Sequence, residues 1–160
     1  MTVIVTNLKC QISTIRFRTS PDTFNIANYH MIHADRKKGR GGGVAMYINF
    51  QLKYKIRKDI YIDGIENLFI EIDNKYGKNI IVGTIYRPPS NNINNFIDKL
   101  DEELDKMSRE NKHIYIMGDF NIDLSKSLQS TPPHSILLNG NYSIDHNTNA
   151  FLNILSSYGF

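Results

Sequence analysis

The sequence predicts a mixed α/β fold, because a strand hairpin, a helix and a further strand follow one another along the chain. Residues 68–72 and 80–86 are rich in β-forming side chains, and Gly77 lies in the turn between them. An apolar stripe at helical spacing predicts a helix over residues 93–107. A short apolar run at 113–117 predicts a buried strand. This order indicates a mixed sheet with a helix packed against it.

The elements before the hairpin are predicted from shorter patterns. Residues 29–33 and 43–50 read as strands, and residues 53–60 as another strand or a sheet edge. At the amino terminus, residues 3–5 suggest a short strand, but the rest of residues 1–21 has no clear period and is only weakly assigned.

The second half ends in a polar segment and a helix. Residues 126–149 have the composition of a loop and are interpreted as an insertion, and a helix is predicted for 150–158. Residues 22–160 are therefore expected to form one domain.

Composition restricts the class of protein. The chain has 160 residues, 41% hydrophobic and 22% charged, which is typical of a globular domain rather than of a disordered or fibrous chain. Its single cysteine, Cys10, excludes an internal disulfide framework. Because no apolar run is long enough for a membrane helix and no secretory signal is evident, we expect an intracellular protein without a membrane partner.

Charge is unevenly distributed. Residues 1–58 carry a net charge of +9, whereas residues 59–160 carry −6. A basic flank beside an acidic half suits an enzyme that binds a polyphosphate and holds carboxylates for chemistry. An uneven solvated surface is the alternative interpretation.

Asp119 and Asn121 are the first candidates for chemistry, because they follow a predicted strand end. If strand geometry continues, both side chains point to one face, where they can orient a water, a divalent ion or a phosphate oxygen. The alternative is a turn in which Asp119 accepts backbone N–H groups.

Tyr86 and Arg87 also follow a strand end, where two prolines stop the ladder. A tyrosine hydroxyl and a guanidinium there can contact a phosphate and the neighbouring backbone. A half-buried tyrosine before a strand stop is the alternative.

The glycine-rich segment 39–43 precedes a strand rather than a helix and lacks the ending of a phosphate loop, so we interpret it as a tight turn. Four cations nearby form a basic cluster that can touch a nucleic-acid backbone. They are Arg36, Lys37, Lys38 and Arg40. The histidines show no metal-binding spacing, and Asp145 and His146 lie in the polar loop, so we predict no metal ligand.

The order of these segments resembles one known family. FNIANYHMIHADRKKGRGGGVAMYI, ENLFIEI, IIVGTIYRPPS, NNFIDKLDEEL and HIYIMGDFNIDL together resemble the endonuclease domain of non-LTR (LINE-like, jockey-type) retrotransposons. That domain is a member of the endonuclease/exonuclease/phosphatase superfamily. The resemblance covers about residues 22–125, and the segment NTNAFLNILSSYGF resembles the helix that follows in that family.

The resemblance implies a two-sheet α/β sandwich and Mg²⁺-dependent hydrolysis of DNA phosphodiesters. By motif, Asp119 would orient or activate the attacking water, Asn121 would hold the phosphate, and Tyr86 would support the phosphate or the leaving group. Arg87 and Arg40 would lie near the nucleic acid. DNA is then the expected partner, with a reverse transcriptase domain in a longer parent polyprotein and a nuclear location.

The chain also departs from the family. The family's metal-ligating Glu precedes the segment PDTFNIANY, and the corresponding stretch LKCQISTIRFRTS contains no Glu. The family's Ser-Asp-His motif, which follows the last helix, has no counterpart here. We therefore expect a domain truncated at both ends that is inactive or nearly so by itself. A non-catalytic nucleic-acid-binding or interaction remnant is the alternative function.

Overall fold

The computed structural model describes residues 2–5, 10–13, 26–36, 43–124 and 146–160, the first two ranges by their backbone only. The described strands and helices form two sheets and one helical layer. The first sheet contains β1 (Thr2–Val5), β2 (Cys10–Ser13), β3 (Tyr29–Asp35) and β4 (Gly43–Asn49). The second contains β5 (Tyr54–Ile56), β6 (Glu66–Ile72), β7 (Ile80–Tyr86) and β8 (His113–Asp119). The helices are α1 (Ile93–Ser108) and α2 (His146–Ser157).

The first sheet is antiparallel, with the strand order β1-β2-β4-β3. The weakly assigned amino-terminal segment therefore contributes two strands to it. The short strand expected at 3–5 is confirmed, and β2 is a strand that the sequence did not predict. The predicted strands at 29–33 and 43–50 are confirmed as β3 and β4.

The second sheet has the order β5-β6-β7-β8. The predicted hairpin is confirmed, because β6 and β7 pair antiparallel, and β7 pairs with β8 in parallel. The α1 helix makes the crossover between β7 and β8, and the side chain of Asn92 caps it by accepting the Asn95 N–H. Residues 53–60 contribute only the three-residue strand β5.

Two apolar cores hold the three layers together. Alternate residues of β4, β6 and β7 meet between the sheets. These residues are Val44, Met46, Ile48, Leu68, Ile70, Ile72 and Val82. The other face of the second sheet packs Phe69, Ile81 and Ile85 against α1 and α2. The expectation of a two-sheet α/β sandwich is therefore confirmed.

Two sequence expectations are wrong in detail. The strand at 113–117 was expected to be buried, but β8 is half-exposed because it lies at the edge of the described sheet, and Tyr115 is 44% exposed. The last helix begins at His146, so the final residues of the expected polar loop are helical. Residues 126–145 of that loop lie outside the described ranges. Neither α1 nor α2 combines the length and apolar character that crossing a membrane requires.

Candidate active site

One end of the second sheet carries a row of three polar side chains. Glu66 begins β6, and Tyr86 and Asp119 end β7 and β8. In the strand register Glu66 is opposite Tyr86, and Tyr86 is opposite Asp119. Because side chains alternate along a strand, all three share the face that packs against the first sheet. We call this end of the sandwich the rim.

Gly118 allows β8 to reach the rim beside β7. Its φ is +152°, and a Cβ atom there would lie 1.8 Å from the Ile85 carbonyl oxygen. Because that neighbour is backbone of the adjacent strand, no rotamer change can relieve the clash. The glycine before Asp119 is therefore a requirement of close strand packing.

The chain turns immediately after Asp119. The Asn121 N–H donates to Asp119 Oδ1 at 3.1 Å, and Asn121 has a left-handed φ of +49°. Strand geometry therefore does not continue to Asn121, so the condition under which both side chains would share one strand face is not met. The alternative turn is confirmed, and asparagine is one of the residues that tolerate this conformation.

The Asn121 side chain nevertheless stays at the rim. Its Nδ2 donates to the Arg87 carbonyl oxygen at 2.7 Å, and the Arg87 N–H donates to the Asp119 carbonyl oxygen at 3.0 Å. These two bonds join the loop after β7 to the turn after β8. Tyr86, Asp119 and Asn121 therefore lie on adjoining segments of one rim.

Arg87 is a buried structural residue. It is 4% exposed, and its guanidinium donates to four carbonyl oxygens, at distances between 2.6 and 3.3 Å. These belong to Pro88, Asn91, Phe120 and Asn121. Burial lowers the pKa of Arg87, and the charge of Asp119 opposes this effect. Four of the five guanidinium N–H donors of Arg87 hold the two loops. Its expected place near DNA stays a prediction.

A different arginine lies beside Tyr86. Arg36 follows β3, its Nε donates to Glu66 Oε1, and its guanidinium carbon is 5.9 Å from the centre of the Tyr86 ring. The hydrogen bond to Glu66 is the main reason why the pKa of Arg36 is raised. Sequence reasoning placed Arg36 only in a basic cluster and missed Glu66. A carboxylate at the start of the otherwise apolar stretch of β6 is the signal that could have identified Glu66.

A cleft of about 530 Å³ opens next to this pair. Asp35, Arg36 and Glu66 form one part of its lining, and Asp63 and Asn91 form another. The lining therefore carries three carboxylates and one guanidinium. This charge makes the cleft itself a poor place for a phosphate.

The rim does not fit a resident divalent ion on the residues that the structure describes. Across the described ranges, no three His, Cys, Asp or Glu side chains are grouped as metal ligands. Asp119 and Glu66 flank Tyr86, so their Cα atoms are about two strand spacings, or ~10 Å, apart. Glu66 Oε1 is also bound to Arg36. We expect from the sequence that the family's metal-ligating Glu is missing from this chain, and that expectation stays a prediction.

The other residues named in the sequence analysis lie outside the described ranges or on α2. Arg40, Lys37 and Lys38, with the glycine-rich turn, are outside the described ranges, so their contact with nucleic acid stays a prediction. His146 begins α2.

One family model and two solved structures are similar to this chain. The family model described as "Endonuclease/Exonuclease/phosphatase family" matches residues 13–146. The endonuclease domain of TRAS1, a telomere-specific non-LTR retrotransposon, superposes with a TM-score of 0.61 at 13% identity, over 92% of this chain and 58% of that one. ANGEL2, a 2',3'-cyclic phosphatase, gives a TM-score of 0.47 at 19% identity, over 64% and 35% of the two chains. No curated protein sequence matches significantly. Because the family model matches most of the length of this chain, the chain belongs to the endonuclease/exonuclease/phosphatase family.

Proposed function

We propose that this chain is a DNA endonuclease domain of the retrotransposon type, with its reacting phosphate at Tyr86, Asp119 and Asn121. The observation that carries the proposal is the register of the second sheet, which makes Tyr86 and Asp119 neighbours on one face at the rim. The turn after β8 keeps Asn121 next to them.

Each of the three side chains has a group suited to phosphodiester hydrolysis. One carboxylate oxygen of Asp119 holds the turn, and the other can accept a proton from a water that attacks phosphorus. The Asn121 amide uses one N–H on the Arg87 carbonyl, and its second N–H can donate to a phosphate oxygen. The Tyr86 hydroxyl can donate to the same phosphate or to the leaving oxygen.

Likeness to the TRAS1 domain supports the retrotransposon type. This chain spans 58% of that chain's length, so the activity of the whole relative is itself part of the proposal. The proposal includes Mg²⁺ as the divalent ion of a fully assembled site, a nuclear location and a reverse transcriptase domain in a longer parent protein. We also propose that the chain by itself hydrolyses DNA at or near background, because the stretch LKCQISTIRFRTS has no Glu where the resemblance places the family's metal ligand.

A non-catalytic DNA-binding module is the second candidate. It is favoured by the engagement of the rim's carboxylates with protein groups: Glu66 binds Arg36, and Asp119 binds the turn of Asn121. Such a module would retain affinity for the DNA backbone without cleaving it.

A nicking assay combined with a binding assay separates the candidates. Supercoiled plasmid is incubated with the chain and Mg²⁺, and DNA affinity is measured by fluorescence anisotropy at several salt concentrations. Asp119→Ala tests the site, and Asp98→Ala on α1 is a control that removes the same charge away from the rim.

The outcomes are distinct. Slow nicking that is lost in Asp119→Ala and kept in Asp98→Ala supports the endonuclease. Salt-dependent binding without nicking above the Asp119→Ala level supports the module. Fast nicking that depends on Asp119 contradicts the proposed low activity, and absence of DNA binding contradicts both candidates.

A further inference from the structure

Arg36 is the cation that the fold places next to Tyr86. It follows the last residue of β3, so the first sheet delivers it to the rim formed by the second. Its guanidinium carbon lies over the Tyr86 ring, 5.9 Å from the ring centre. The side chain of Arg36 remains 30% exposed. It is therefore both anchored and accessible.

Glu66 provides the anchor. Its side chain is 7% exposed, and Oε1 accepts the hydrogen bond from Arg36 Nε. The second oxygen, Oε2, is buried and has no hydrogen-bond partner in the part of the chain that the structure describes. A buried carboxylate is unfavourable unless it is paired with a cation, so fixing Arg36 is the contact that compensates for its burial.

Arg87 and Arg36 differ in how many of their N–H donors are already hydrogen-bonded to the protein. Arg87 directs its guanidinium to four backbone carbonyls. The bond to Glu66 engages only Nε of Arg36, whereas a guanidinium has five N–H donors in a planar fork. That fork matches the geometry of phosphate oxygens. Among the described residues, Arg36 therefore keeps its terminal N–H donors for a ligand, whereas Arg87 has committed four of its five.

The surrounding charges restrict where an anion can bind. On the cleft side of Arg36, Asp35 and Asp63 repel a phosphate. The Tyr86 ring lies next to the guanidinium and is not part of the cleft lining. A nucleic-acid strand that contacts Arg36 must therefore pass over the rim and not into the cleft.

We propose that Arg36 is a phosphate-binding residue of this site and that Glu66 is its positioning residue. Arg36 donates to a backbone phosphate of a DNA strand adjacent to the phosphate at Tyr86, and Glu66 fixes the direction of the guanidinium. The inference rests on the proposed function, because it requires DNA at the rim.

The salt dependence of DNA binding tests the phosphate contact. Affinity of the chain for a duplex oligonucleotide is measured by anisotropy over a range of salt concentrations, for the unaltered chain and for Arg36→Gln. One lost phosphate contact lowers the slope of log K against log salt by about 0.9 and weakens binding roughly eightfold at ~0.1 M salt. The control is Arg109→Gln, which removes the same charge from an exposed arginine after α1.

Positioning by Glu66 is tested with a double-mutant cycle. In the Glu66→Gln background, Arg36→Gln is expected to reduce affinity by much less than eightfold, because the guanidinium is no longer held. Arg36→Lys keeps the charge but not the planar fork, so it is expected to keep most of the salt slope while binding DNA more weakly than the unaltered chain. Circular dichroism establishes that each variant is folded.

The results separate the inference from the function on which it rests. If the unaltered chain binds DNA and Arg36→Gln behaves like Arg109→Gln, Arg36 does not bind phosphate. Additive effects of the Arg36 and Glu66 substitutions would refute the positioning role. If the unaltered chain shows no salt-dependent binding, the proposed function fails and the inference fails with it.

Discussion

Replacement of Arg87 with methionine is expected to separate the two loops of the rim. Methionine fills most of the same space but has no donors, so the carbonyl oxygens of Pro88, Asn91, Phe120 and Asn121 all lose their guanidinium partner. These carbonyls belong to the loop after β7 and the turn after β8. Loss of the guanidinium therefore affects the segments that carry the candidate site, while the two apolar cores keep their contacts.

The expected loss in the free energy of unfolding follows from the four hydrogen bonds of the guanidinium. A hydrogen bond with one charged partner makes a net contribution of about 1.5–3 kcal/mol, and burial of the guanidinium offsets part of the gain from all four. Removing such a buried donor is expected to lower the free energy of unfolding by about 3–5 kcal/mol. With an m-value of about 2 kcal/mol per molar urea, the midpoint of unfolding falls by roughly 2 M.

Urea unfolding followed by circular dichroism measures this loss. Arg87→Lys is expected to be intermediate, because an ammonium cannot span acceptors on both loops. Arg109→Met is the control at an exposed site and is expected to change stability by less than ~0.5 kcal/mol. DNA binding by folded Arg87→Met should weaken without a change in salt slope. Unchanged stability together with a slope reduced by about one would refute this reasoning and restore Arg87 as a phosphate contact.

Three further predictions concern stability. Gly118→Ala is expected to lose about 2–4 kcal/mol in urea unfolding, because its Cβ meets the Ile85 carbonyl, and a neutral effect would show that β8 can shift. Asn92→Ala is expected to lose about 1 kcal/mol with the α1 cap. Burial alone would raise the pKa of Glu71, but hydrogen bonds from Lys112, Asn79 and Lys55 lower it to about 2. Its stabilisation, roughly 2–3 kcal/mol, is therefore complete above about pH 4.5 and is lost as pH falls toward 2. Glu71→Gln should flatten this acid limb of the stability curve.

The sequence predicted the elements whose apolar pattern repeats over several neighbouring residues. The α1 stripe and the β6–β7 hairpin repeat their apolar pattern over several residues, so their type is set by neighbours along the chain. β2 was missed because its four residues form a strand by pairing with β1 and β4, which lie elsewhere in the sequence. The exposure of β8 likewise depends on its place at the edge of the described sheet.

The same distinction applies to the candidate site. Tyr86 and Asp119 could be selected because each directly ends a strand, and parallel pairing of β7 with β8 makes them neighbours. The direction of the Arg87 guanidinium depends on the loop after β8, more than thirty residues away, and no local pattern reports it. The pair of Arg36 and Glu66 is likewise separated by thirty residues and by the boundary between the sheets.

The turn at Asp119 and the proposed chemistry at Asp119 are compatible, because they use different oxygens of one carboxylate. Oδ1 accepts the Asn121 N–H, and this bond shows only that Asp119 stabilises the turn. Asp119→Asn keeps an oxygen for the turn but removes the charge, whereas Asp119→Ala removes both. If Asp119 acts only on the turn, Asn should preserve stability and any nicking, and Ala should lose about 1 kcal/mol of stability. If the second oxygen acts on a water, Asn should keep the stability and lose the nicking. Stability and activity that fall together in both variants would contradict this division of roles between the two oxygens.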